Sequence, residues 1–378
     1  LPLVADGLGR RATLVAALLA CLSPALVFYS RDYIQETLLV FFTFACIATG
    51  WRYARSGRPV WALLCGASLG LMQATKETCL ISVGALGLAL VCTLVWEART
   101  GTQPLELKKR LRWRVLLLAA LVGGGVSALL FSGFFTNAWG PVDAWRAYGT
   151  YFGRADGDGE HVQRWYYYLK MLLWSHHAPL PIWSEGLILL LAVAGIAAAF
   201  VRRRRDGATD WGATALPRFL AVYCVALVVV YSAIPYKTPW CAIQFVQPLT
   251  LLAGYGAVAL LHVVRKPVLQ AAVALLLLAL AANLGGQAVA ANYRYCTRYE
   301  NPYVYAQPVS DVERLAAWVE KLATVSPDGH ETVVHVIATY EWPLPWYLRR
   351  FANVGYWNTV PEECDAPIVI VSLDLMEE

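Results

Sequence analysis

The sequence predicts a mainly α-helical, polytopic membrane bundle with interfacial helices and a small C-terminal extracytoplasmic α/β domain. Three observations predict it. Apolar runs recur through residues 1–288 at lengths that reach or approach the roughly 17–25 residues needed to cross a bilayer. Only 15% of the 378 residues are charged, against about 25% in soluble domains, and mean hydropathy is +0.49. Loops rich and poor in Lys and Arg alternate along the chain, the pattern of the positive-inside rule.

Nine spans are expected, at 12–29, 37–53, 60–75, 78–96, 115–135, 184–201, 218–234, 241–263 and 268–288. One set of connections carries Arg10, Arg11, Arg52, Arg55, Arg58, the basic run from Arg99 to Arg114, Arg202 to Arg205, Arg218, Arg265 and Lys266. The short turns on the other side carry only Arg31, Lys76 and Lys237. The first set is therefore expected to be cytoplasmic. "RDYIQE", "TKE", "IPYKTPW", the loop 136–183 and the tail 289–378 are expected outside, in a cell (plasma or inner) membrane. The chain opens at Leu1 without Met and stops just after a strand-like run, which reads as a fragment of a longer protein.

Within the loop, "WYYYLKMLLW" (165–174) is too short to span and rich in the residues that favour the headgroup zone. It is expected to lie along the interface. In the tail, the spacing of apolar residues over 311–323 predicts an amphipathic helix, and 332–340 and 366–375 read as strands. Two domains follow: a membrane domain over 1–288, which includes the loop 136–183, and an α/β domain over 289–378. Seven of the nine cysteines lie in or beside apolar runs and read as small buried hydrophobes. Cys296 and Cys364 are candidates to pair only if the tail is extracytoplasmic. The net charge of +5 follows topology and gives no reason to expect nucleic acid.

The stretch "YSRDYIQETLLVFF" (29–42) puts Arg31, Asp32 and Glu36 at the outer end of a span. If helical there, Asp32 and Glu36 share a face. Lys76 and Glu77 end another span on that side. Tyr236, Lys237 and Trp240 end a third, stiffened by Pro235 and Pro239. These turns are either solvated loops or one pocket of mixed charge. In a pocket, the cations would hold phosphate and the carboxylates a proton or a divalent metal. Tyr166 and Tyr167 would form an aromatic shelf over it. His161, beside the acidic "DGDGE", is a candidate metal ligand, and Glu36 is a second. In "YEWPLPWYLRRF" (340–351), Trp342, Trp346 and Arg349 form either a structural turn or a platform for sugar or headgroup.

These stretches carry a family resemblance. "SPALVFYSRDYIQETLLVFF" (23–42), "ATKET" (74–78), "WYYYL" (165–169), "IPYKTPW" (234–240) and "WPLPWYLR" (342–349) resemble the C-superfamily membrane glycosyltransferases. The resemblance is to the branch of the protein O-mannosyltransferases and lipid A aminoarabinose transferases. It is closer still to the flippase-activity-associated membrane proteins of archaeal and bacterial N-glycosylation. It implies a polyprenyl-phosphate-linked sugar donor, an extracytoplasmic acceptor and an active site on the outer surface. It matches Glu36, with Arg31 before it, to an acidic site position, and Lys237 to a lysine before proline on a late helix. The superfamily's main catalytic aspartate lies in a first outer loop, after which this chain is expected to start. Two other readings stand beside glycosyl transfer: a lipid-linked sugar translocation factor, which calls for ionisable groups at mid-span, and a non-catalytic scaffold.

Overall fold

Helix ends follow the local sequence. In the computed structural model, which describes residues 1–100, 112–155, 161–200, 212–362 and 364–376, a short turn α1 (Ala5–Leu8) leads into α2 (Arg10–Leu22) and α3 (Pro24–Arg31). Ser23 separates α2 from α3. Its Oγ accepts from the Leu26 amide, and Pro24 has no amide with which to continue α2. The two helices are bent by 62°, so the span expected at 12–29 is a broken one. Gly57, left-handed at φ 65°, stops α4 (Gln35–Ser56), and Pro59 opens α5 (Pro59–Thr75). "TKE" is then a tight turn into α6 (Cys79–Thr100).

There follow α7 (Trp113–Phe131), α8 (Gly140–Ala155), α9 (Tyr167–Leu173), α10 (Gly186–Phe200), α11 (Gly212–Ala233), α12 (Ile243–Val263) and α13 (Pro267–Val289). Among the described residues, six stretches are long and apolar enough to cross a membrane, seven if α2 and α3 make one broken span. The shorter apolar α5 and α10 occupy the remaining two expected spans. This is a multi-pass membrane protein.

The chain divides into two units. The first comprises Leu1–Cys296 and Glu300–Tyr305. At its centre, α12 is buried over most of its length and packs on α2, α10 and α11. Small residues permit this. A Cβ on Gly256 would lie 1.9 Å from the Leu191 carbonyl oxygen, and one on Gly254 2.3 Å from that of Ala12. A second cluster of close backbones joins α5 to α7 at Gly66 and Gly70. In α9, Tyr168, Met171 and Leu172 pack into the main core, while Leu173 and the flanking Trp165 and Trp174 are exposed. Trp145 of α8 is exposed.

The second unit comprises Thr297–Tyr299 and Ala306–Glu378. It holds α14 (Asp311–Val325), α15 (Leu344–Tyr347) and a parallel sheet ordered β2-β1-β3, with β1 Val334–Ile337, β2 Val354–Trp357 and β3 Ile368–Val371. Val319 and Ala323 of α14 pack on Val334 and Val336, and Leu344, Leu348 and Phe351 complete that core. Sequence periodicity does not identify β2, a four-residue strand with no fully buried position. Cys296 and Cys364 are both free thiols.

Candidate functional site

Glu36 stands in the first turn of α4, where a helix N-terminus favours negative charge. It is 2% exposed, so its carboxylate needs a partner. The Lys76 ammonium, at the C-terminal end of α5, supplies one by bonding Glu36 Oε1. Asp32 does not share a helix face with Glu36. The chain is extended at Asp32 and again at Ile34, which breaks the helix between α3 and α4. Glu77 lies beside Lys76 in the same turn and acts electrostatically on Cys79 and Tyr148.

Arg31 ends α3. One guanidinium nitrogen donates to the Asn292 carbonyl at 2.8 Å, and the group lies 4.4 Å from the centre of the Tyr293 ring. Asn292 sits in a single π-turn, Ala290–Arg294, that closes α13. The turn presents the carbonyl of the buried Asn292 to Arg31.

Lys237 is buried, and its ammonium bonds the Ile234 carbonyl. Burial lowers its pKa from the ordinary lysine value. Its backbone amide donates to the His161 carbonyl at 2.9 Å, and the Gln163 amide to Pro235 O at 3.0 Å. This short antiparallel bridge sets the His161 ring 4.9 Å from Tyr236. The His161 ring also bonds the Tyr305 hydroxyl, and Trp240 meets the Tyr305 ring edge-on at 5.1 Å. Tyr168 donates to the Thr238 carbonyl at 3.0 Å, and the exposed Tyr166 accepts from Arg164. Cys241 is close enough to the Glu36–Lys76 pair to feel both charges.

Thus Glu36 and Lys76 pair directly, and His161, Tyr236, Trp240 and Tyr305 form an aromatic group braced by the Lys237 backbone. Arg31 is held separately by α13. In the second unit, Trp342 and Trp346 are exposed, and the Arg349 guanidinium lies 4.2 Å from the Trp346 ring centre. Among the described residues, no three His, Cys, Asp or Glu side chains are placed to share a metal ion. The acidic 156–160 lies outside the described residues.

Two buried acids are not apparent from sequence. Glu185 Oε1 accepts from Ser23 Oγ at 2.8 Å and the Ala25 amide at 2.9 Å, which caps α3 from across the fold. Glu97 pairs with Arg218. Glu185 reads as the polar edge of an apolar run and Glu97 as a loop-side charge. Their partners are 162 and 121 positions away, beyond any local pattern.

The fold is that of a polytopic membrane protein, with paired charges at one end of α4 and α5. Residues 3–128, which include both Glu36 and Lys76, match the family model for dolichyl-phosphate-mannose-protein mannosyltransferases. Among solved structures, the chain is similar to ArnT from Cupriavidus metallidurans in the apo state. The TM-score is 0.53 at 14% identity, over 93% of this chain and 67% of that one. It is similar also to the same protein bound to undecaprenyl phosphate, with TM-score 0.53 and 15% identity over 93% and 68%. No curated protein sequence matches.

Proposed function

We propose that the protein transfers a sugar from a polyprenyl-phosphate donor to an extracytoplasmic acceptor. The observation that carries this reading is the ion pair of Glu36 and Lys76, inside the segment that matches the mannosyltransferase family. The undecaprenyl phosphate of the similar ArnT structure supports a donor of that lipid class. In the proposed reaction the leaving group is a polyprenyl phosphate. Lys76, partly open to solvent, and Arg31 neutralise the charge that develops on it. Glu36, paired with Lys76, accepts the acceptor's proton or holds a divalent ion. Tyr236, Trp240 and Tyr166 offer ring faces to the sugar.

The same reading assigns "RDYIQE", "IPYKTPW" and the α/β unit to the extracytoplasmic side. The two short turns carry only Arg31 and Lys237, against the basic connections on the other side, which supports their placement. A translocation factor is disfavoured. The buried pair of Glu97 and Arg218 sits near the ends of α6 and α11, not at mid-span where a translocation path would need charge. The test is to reconstitute the full-length protein in vesicles with defined polyprenyl-phosphate sugars. Release of polyprenyl phosphate that depends on acceptor is expected. Movement of the intact donor between leaflets, with no sugar released, would overturn the proposal.

A further inference from the structure

Helices α4 and α5 are antiparallel neighbours joined by a tight turn at Gly57. Residues facing one another across such a pair have numbers with a nearly constant sum. Glu36 meets Lys76 at the open end of the pair. Ten residues further along α4, in the same register, Cys46 meets Cys65. Their sulfurs are 3.5 Å apart. At 1.5 Å per residue the thiols lie about 15 Å along the helices from the ion pair.

The two thiols differ in access. Cys46 is buried. Cys65 is half-buried and lines a cavity of about 380 Å³ between α4, α5 and α7, walled by Gly50, Tyr53, Gly66 and Gly123. A space of that size admits a small molecule, and its wall is mostly apolar. Elsewhere, Cys224 faces the Phe245 carbonyl and Cys241 the Thr238 hydroxyl. Cys46 and Cys65 are in thiol–thiol contact.

We propose that Cys46 and Cys65 form a dithiol site that small apolar disulfides oxidise, which closes a bridge between α4 and α5. Cys65, reached through the cavity, loses its proton and attacks one reagent sulfur, expelling the first small thiolate. Cys46 then loses its proton and attacks the Cys65 sulfur of the mixed disulfide, expelling the second. Two protein thiols and one reagent disulfide become one protein disulfide and two small thiols. The two protons leave with the expelled thiolates. The protein is oxidised by two electrons and the reagent reduced by two. The sulfurs must close by about 1.5 Å to reach bonding distance. The product clamps the two helices whose ends carry Glu36 and Lys76.

The test treats the purified full chain with 4,4′-dipyridyl disulfide, then maps its cysteines by proteolysis and mass spectrometry. The expected result is a peptide linked through Cys46 and Cys65 that dithiothreitol reverses. In Cys46→Ser the second step is blocked, so a thiopyridyl adduct should persist on Cys65. Recovery of both as free thiols, as two separate adducts, or linked to other cysteines would overturn the proposal. The readout needs no sugar transfer, so it stands or falls apart from the proposed activity.

Discussion

Glu97 of α6 and Arg218 of α11 form an ion pair in which both side chains are almost completely buried, and Arg218 Nε donates to the Ala199 carbonyl at 2.9 Å. The pair therefore ties α6, α10 and α11 together at one end. Removing one member leaves the other charge buried. Arg218→Met should cost about 3–5 kcal/mol of stability, read as a lowered Tm in detergent. The double variant Glu97→Met, Arg218→Met should recover much of that loss, since no charge is then stranded. Equal losses in single and double variants would mean that packing, not charge, dominates there.

Close backbone approach makes a second prediction. A Cβ on Gly70 would lie 2.2 Å from the Gly123 carbonyl oxygen, and one on Gly66 2.0 Å from that of Ala119. Backbone cannot yield as a side chain can, so Gly70→Ala must push α5 from α7. A loss of about 1–3 kcal/mol is expected. Gly124→Ala, one residue from Gly123 with open space around it, should leave Tm unchanged or slightly raised. Thermal unfolding of the two variants side by side measures the contrast.

Lys237 makes a pH-dependent contribution whose sign follows from its burial. Its folded pKa is lowered below the ordinary 10.5. Between those two values the unfolded chain binds more protons than the folded one, so stability rises with pH across that window. Below the folded value the ammonium is charged in both states and the slope vanishes. Lys237→Met should flatten the rise. A Tm–pH series for the two proteins checks this, and parallel curves would show that Lys237 does not titrate in that window.

Much of the fold is legible because hydropathy and charge asymmetry are long-wavelength signals. The apolar runs mark the bundle, and the amphipathic spacing of 311–323 finds α14. What stays hidden is set by distant contacts. The bend at Ser23 needs Glu185 to cap it, and α9 turns inward because Tyr168 finds the Thr238 carbonyl. At the site, Glu36 and Lys76 are visible as charges at the ends of apolar runs. Their pairing is not, because it depends on the register of α4 against α5. Lys237 is visible as a cation; that its ammonium turns inward to Ile234 is decided by burial.

The last prediction separates donor binding from chemistry in the proposed reaction. Arg31 commits one nitrogen to Asn292, and a guanidinium carries five N–H donors. The remaining donors suit a phosphate, and Asn292 holds the fork in place. Arg31→Ala should weaken donor binding by about tenfold to a hundredfold, the equivalent of a charge-assisted contact of about 1.5–3 kcal/mol. Glu36→Gln keeps the side chain's shape and leaves Lys76, already partly exposed, to solvent. The variant should fold, bind donor as wild type does and turn over at least tenfold more slowly if Glu36 takes a proton or holds a metal. Donor binding and sugar release, measured separately on the full-length protein, distinguish the two roles. If Glu36→Gln matches wild type in both, the pair of Glu36 and Lys76 only joins α4 to α5, and the chemistry must be sought elsewhere.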